Sequence, residues 1–163
     1  MMQTLTNLYT LLIRVGDSFQ SPFLLLVRLY WGWQFAQAGY GKLGNINKII
    51  GFFTNLGIPA PALNAWFVSG LELTGGILLI LGLGSRVIAV PLIINMLVAY
   101  STAHRDAFGA IFSDPDKFYG AAPYTFLFAS LLVLIFGPGK FSLDALLAGR
   151  FAKSGRLPAQ PPL

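Results

Sequence analysis

The sequence contains no cysteine and only one histidine, His104. Without cysteine the chain forms no disulfide, thiolate metal site or cysteine-ligated iron–sulfur cluster, and it performs no thiol redox chemistry of its own. One histidine also argues against a histidine-based metal site, so we expect no metal ligands. Any redox role must therefore depend on a group that the chain binds.

Charged residues are also scarce, at 10% of the 163 residues, whereas 55% are hydrophobic. Soluble domains usually carry about 25% charge. The mean hydropathy is +0.68, so the composition is typical of a membrane protein. The net charge of +5 is spread along the chain without a basic stripe, which argues against nucleic acid as a partner.

The few charges divide the chain into apolar blocks. There are 22 uncharged residues between Lys117 and Lys140, and 17 between Arg86 and His104. Two further blocks each contain one charge, Arg28 or Glu72. A helix needs roughly 20 residues to cross a bilayer. The sequence therefore predicts an all-α membrane protein, a bundle of four transmembrane helices at about 21–42, 65–84, 87–104 and 121–138.

The segments around these spans have their own patterns. Residues 1–20 carry leucines on one helical stripe and polar residues on the other sides, which predicts an amphipathic helix at the membrane interface. Residues 44–64 are too apolar for a free loop and predict a short re-entrant or interfacial helix that ends at Asn55-Leu56-Gly57. Residues 149–163 form a basic, proline-rich tail.

The positive charges predict the orientation of the bundle. With four spans, both termini lie on one side, and that side collects six Lys or Arg residues: Arg14, Arg86, Lys140, Arg150, Lys153 and Arg156. The other side collects four: Lys42, Lys48, Arg105 and Lys117. The positive-inside tendency places both termini in the cytoplasm.

Arg28 and Glu72 are the two charges that lie away from the ends of the predicted spans. A lone charge in the middle of a membrane costs several kcal/mol, so such residues normally face the bundle interior and pair. From their distances to the cytoplasmic helix ends we expect an Arg28–Glu72 ion pair, with Asn95 as a further hydrogen-bond partner and Ser130 at a similar depth. The pair would form either a functional polar pocket or a contact that only fixes helix register.

His104 lies at the outer end of the third predicted span, near Tyr100 and Asp106. This group would bind a quinone head group at the interface, or His104 would simply cap the helix end.

The order of these landmarks resembles the DoxX family of bacterial inner-membrane proteins. The resemblance covers about residues 20–148 and is carried by these elements: Arg28, Gly41-Lys42-Leu43, Gly70-Leu71-Glu72-Leu73-Thr74-Gly75-Gly76, Gly82, Arg86 and Asn95-Met96. It implies a four-helix membrane bundle in a redox setting, since relatives include the small subunit of a thiosulfate:quinone oxidoreductase and a component of an oxidative-stress complex. The resemblance makes Arg28, Lys42, Glu72, Arg86 and Asn95 the residues to test first.

Three functions follow as hypotheses. The first is an accessory or anchoring subunit of a membrane redox complex, which binds a soluble or peripheral oxidoreductase and a quinone or lipid between its helices. The second is a quinone-linked oxidoreductase in its own right, and the third is a small proton-linked transporter. In all three the partners include membrane lipids, a homo-oligomer is compatible, and the location is the bacterial inner membrane.

Overall fold

The computed structural model describes residues 2–153, and the regular structure in this range is helical throughout. Most of the predicted tail at 149–163, including Arg156, lies outside the described residues. The helices are α1 (Met2–Gly44), α2 (Ile46–Asn55), α3 (Pro61–Leu81), α4 (Ser85–Thr102), α5 (Arg105–Gly109), α6 (Pro115–Tyr119), α7 (Pro123–Phe136) and α8 (Leu143–Lys153).

Three of these helices, over 5–44, 61–81 and 85–102, are long and apolar enough to cross a membrane, and α7 is a shorter apolar helix. The prediction of an all-α membrane protein is confirmed. Helix ends follow the local sequence: Pro61 and Pro123 occupy the first turns of α3 and α7, where the missing N–H costs nothing. Gly82 ends α3 in the left-handed conformation, which favours glycine.

Helix α1 is longer than the sequence predicts. The expected first span begins at about residue 21 with Pro22 in its first turn, but Pro22 lies inside a continuous helix of 43 residues. An interior proline removes one backbone hydrogen bond, and the helical segments on both sides are long enough to continue past it. The placement of residues 1–20 at a membrane interface stays a prediction.

Helices α1 and α3 pack antiparallel along small residues. A Cβ added to Gly76 would lie 2.5 Å from the backbone of Gly32 and Ala36, and one added to Gly39 would lie 2.6 Å from the backbone oxygen of Ser69. Such faces let transmembrane helices approach closely. These small residues therefore serve close packing between α1 and α3.

The second half of the bundle joins this pair through α4 and α7. Buried Phe35, Leu79, Leu92, Met96 and Val133 belong to one core cluster that draws on α1, α3, α4 and α7. The bundle has two ends, which we name by what lies there. The loop end carries α2, α5 and α6, and the termini end carries the α3–α4 turn and the α7–α8 connection.

The connecting segments at the loop end are helical. Helix α2 ends at Asn55, where the sequence predicts a short helix to end, and it contributes no fully buried residue. The segment 105–120 holds the short helices α5 and α6, and Asp114, Pro115 and Asp116 are exposed. The Asp114 side chain accepts a hydrogen bond from the Lys117 backbone N–H at the start of α6, which is a standard helix cap.

Candidate functional site: a cavity above an ion pair

A cavity of about 380 Å³ lies between α1, α2, α3, α4 and the start of α7. Its walls are mainly apolar and include Phe52, Phe53, Val68, Val98 and Phe126. Polar side chains from several helices also line it: Lys42, Asn64, Glu72, Asn95, Thr102 and His104. An apolar cavity of this size with a few convergent polar groups is typical of a small-molecule site.

The polar groups Lys42, Glu72 and Asn95 form one hydrogen-bonded cluster in the cavity wall, which we call the Glu72 cluster. Lys42 Nζ lies 2.6 Å from Glu72 Oε1 and 2.5 Å from Oε2. Asn95 Nδ2 donates to Glu72 Oε1 at 3.0 Å. Glu72 is 3% exposed, whereas 31% of the Lys42 side chain is exposed. A buried carboxylate is thus neutralised by a cation that reaches the cavity.

The predicted Arg28–Glu72 ion pair is wrong. Glu72 pairs with Lys42, and Arg28 lies at the termini end, where it donates to backbone oxygens of Leu79 and Phe141. The reason is helix register: Gly32 meets Gly76 and Gly39 meets Ser69, which places Glu72 level with the later part of α1. Arg28 is therefore level with Leu79 near the C-terminal end of α3, about two turns from Glu72.

The sequence contained a signal that identifies the correct partner. Matching the small residues of α1 against those of α3 in antiparallel order sets the register, and in that register Lys42 is the cation within reach of Glu72. Depth alone, counted from predicted helix ends, could not choose between Arg28 and Lys42.

Arg28 is the centre of a second polar group, which we call the Arg28 cluster. Its side chain is buried, with Nη1 3.5 Å from the Leu79 oxygen and Nη2 hydrogen-bonded to the Phe141 oxygen. Arg28 Nε has no hydrogen-bond partner within the described part of the chain. Gly82 leaves the space that the guanidinium occupies, because a Cβ there would overlap Nη1. The cluster ties α1 and the end of α3 to the α7–α8 connection.

Asp144 extends this connection to α4. Its carboxylate accepts hydrogen bonds from the backbone N–H of Gly84 at 2.8 Å and of Ser85 at 3.1 Å. Its own N–H donates to the Gly82 oxygen at 2.9 Å. A carboxylate at this position neutralises the partial positive charge of the α4 N-terminus. These hydrogen bonds join the α7–α8 connection to the α3–α4 turn and so close the termini end of the bundle.

The remaining predicted site residues lie apart from the Glu72 cluster. Ser130 is buried but donates to the Phe126 oxygen in its own helix at 2.8 Å. Arg86 lies at the termini end, with Nη2 3.4 Å from the Ile135 oxygen. The structure therefore brings Asn95 to Glu72 and leaves Ser130 and Arg86 in separate contacts.

Tyr100, His104 and Asp106 lie at the loop end, as the sequence order requires. Tyr100 is fully buried, stacks on Phe118 with ring centroids 5.0 Å apart and donates to the Phe118 oxygen at 2.9 Å. The Tyr100 and His104 rings meet edge to face at 6.4 Å. His104 and Asp106 line a second cavity, also about 380 Å³, with Thr102, Ala103, Arg105, Ala107 and Lys117.

No cluster of three or more His, Asp or Glu side chains suited to a metal ion occurs among the residues that the structure describes. The groups in the first cavity instead fit a neutral ligand with a polar head. Lys42 carries three N–H donors and Asn95 retains a carbonyl acceptor beyond its bond to Glu72. Such a site can hold a carbonyl or hydroxyl group at its polar wall and an apolar body against its aromatic walls.

Comparison with known proteins places the chain in a family. The DoxX family model matches residues 23–105. An uncharacterized membrane protein of Mycobacterium tuberculosis is 33% identical over 141 residues, which cover 82% of this chain and 86% of the relative. An uncharacterized protein of Haemophilus influenzae is 30% identical over 128 residues, which cover 76% of this chain and 82% of the relative. No solved structure is significantly similar to this chain.

Proposed function

The chain belongs to the DoxX family, and from that premise we propose that it is a membrane subunit of a redox complex that binds a quinone in its cavity. The observation that carries this proposal is the apolar cavity of about 380 Å³ with the Glu72 cluster in its wall. Charged residues inside membrane helices usually mark functional sites.

Both the polar and the apolar parts of a quinone match groups that line the cavity. Its carbonyl oxygens are hydrogen-bond acceptors, and Lys42 and Asn95 each have one N–H beyond those that donate to Glu72. Its ring and isoprenoid tail are apolar, as are the side chains of Phe52, Phe53 and Phe126, which also line the cavity. The pairing of Glu72 with Lys42 keeps the buried site electrically neutral, which suits an uncharged ligand.

The composition supports the proposed role as a subunit. The chain has no cysteine and one histidine, so its side chains supply neither the usual ligand sets of iron–sulfur clusters nor a pair of histidines for haem. A quinone bound here would exchange electrons with a group held by a partner. We therefore propose a soluble or peripheral oxidoreductase as that partner, at a bacterial inner membrane.

The test is affinity purification in mild detergent, followed by mass spectrometry of bound proteins and extracted lipids. We expect a quinone and an oxidoreductase with the wild-type protein. Ala99→Phe fills the cavity, because Ala99 lines it, and should lower the quinone content about tenfold or more, the equivalent of about 1.4 kcal/mol.

Leu97→Phe is the matched control, since Leu97 lies exposed on the same helix outside the cavity lining, and it should retain the quinone. Equal quinone content in the wild type and Ala99→Phe would refute the proposal. Substrate-dependent proton flux in liposomes, with no bound partner, would favour the transporter instead.

A further inference from the structure

The cavity is confined to one half of the bundle. On the four long helices its lining residues fall within 35–42 of α1, 64–72 of α3, 95–102 of α4 and 123–126 of α7. These stretches belong to the loop-end half of their helix, except that Glu72 lies one residue past the midpoint of α3. The cavity thus begins at the loop end and stops at the level of Glu72, near the middle of α3.

Close packing fills the bundle below that level. Phe35 of α1 and Phe126 of α7 meet with ring centroids 4.6 Å apart. Beyond them, Leu79, Leu92 and Val133 are buried in the same core. Gly76 also contacts the α1 backbone so closely that even a methyl group would not fit. This layer separates the Glu72 cluster from the termini end.

The Arg28 cluster closes the termini end beneath this layer. Arg28 is 1% exposed, and its bonds to Leu79 and Phe141 join α1, α3 and the α7–α8 connection. Asp144 adds the link to the start of α4. A passage from the cavity to the termini end would need a gap between these helices. The contacts of Arg28 and Asp144 join the helices at that place.

The loop end, in contrast, offers a polar approach to the cavity. The second cavity adjoins the first one across three shared residues, Thr102, Ala103 and His104. Its remaining walls carry exposed Arg105, Asp106 and Lys117. We call this second cavity the vestibule. His104 lies at the junction between the water-accessible vestibule and the apolar cavity.

We propose that the cavity takes up its ligand only from the loop end, through the vestibule, with His104 at the entrance, and that the Arg28 cluster seals the opposite end. The direction of access follows from the shape of the molecule and does not depend on which ligand binds. The identity of the ligand as a quinone rests on the proposed function.

The absence of cysteine makes the test direct, because each introduced thiol is the only one in the chain. Single variants Ala99→Cys and Val68→Cys place a thiol in the cavity lining. Lys48→Cys at the loop end and Lys140→Cys at the termini end, both exposed, mark the two sides. Full-length protein in sealed vesicles is treated with a membrane-impermeant maleimide from one side at a time.

We expect both cavity cysteines to react from the side on which Lys48→Cys reacts, and not from the side of Lys140→Cys. Reaction from the Lys140→Cys side, from both sides or from neither side would overturn the proposal. Two cavity positions on different helices guard against a single misfolded variant.

Two further experiments test the position of the entrance and the identity of the ligand separately. His104→Trp should slow labelling of Ala99→Cys several-fold, whereas Ser101→Trp, exposed and outside both linings, should not; equal rates would refute the entrance at His104. A short-chain quinone should protect Ala99→Cys. Labelling from one side without protection would support access from the loop end and refute quinone binding. Protection together with labelling from both sides would support quinone binding and refute access from one end only.

Discussion

At the scale of single residues, the pairing of Glu72 with Lys42 neutralises the buried charge in the wall of the cavity. Glu72 is almost fully buried, while Lys42 retains access to the cavity. Removing either charge breaks the same contact, but the charge left behind differs in its access to water. A buried carboxylate without a partner is far more costly than a lysine that can extend toward solvent.

Lys42→Met should therefore destabilise the protein more than Glu72→Gln. We expect Lys42→Met to cost about 3–5 kcal/mol, the range for a buried pair broken on one side, and Glu72→Gln to cost less. The double variant should recover part of the loss, because no unpaired charge remains. Unfolding in detergent micelles measures all three. A larger cost for Glu72→Gln would show that Glu72 is not the buried partner.

At the scale of elements, two contacts hold the helices in place: the small-residue face between α1 and α3, and the cap that Asp144 provides for α4. The first sets the register that brings Lys42 to Glu72. The second attaches the C-terminal part of the described chain to the bundle. Each contact makes a prediction with a control in the same chain.

Gly76→Ala should weaken the α1–α3 contact. A Cβ at Gly76 would lie 2.5 Å from the α1 backbone, whereas one at Gly70 of the same helix meets nothing within 4 Å. Overpacking of this kind costs about 1–3 kcal/mol. Gly70→Ala should change stability by no more than about 1 kcal/mol. Thermal unfolding compares the two, and equal effects would contradict the contact.

Asp144→Ala should destabilise the start of α4. It removes the acceptor for two backbone N–H groups, and loss of such a cap costs about 0.5–2 kcal/mol. Asp116→Ala serves as the control, since Asp116 is exposed on α6. Hydrogen exchange at Gly84 and Ser85 should rise in the first variant only. Unchanged exchange in Asp144→Ala would show that the cap does not form.

At the scale of the whole molecule, the sequence predicts the helical bundle well because its determinants are local. Scarce charges, prolines and glycines mark the ends of α3, α4 and α7 within a few residues. The prediction of an Arg28–Glu72 ion pair was wrong because the partner of Glu72 depends on the register between helices that are distant in sequence. The cavity could not be predicted for the same reason, since its walls come from five helices.

The orientation of the bundle is a further prediction at this scale. The excess of Lys and Arg on the termini side predicts cytoplasmic termini, which would place the vestibule and the cavity mouth on the outer face. A reporter enzyme that works only in the cytoplasm should be active when it is fused to the C-terminus. Activity of a reporter that works only outside the cytoplasm would reverse the orientation.

The central claim is that the cavity above the Glu72 cluster binds a quinone. Its most direct test is calorimetric titration of a short-chain quinone into the full-length protein in lipid nanodiscs. The account predicts saturable binding to the wild type and to Leu97→Phe, and about tenfold or greater weakening, about 1.4 kcal/mol or more, in Ala99→Phe and Asn95→Leu. Absence of saturable binding to the wild type, or equal affinity in Ala99→Phe, would contradict it.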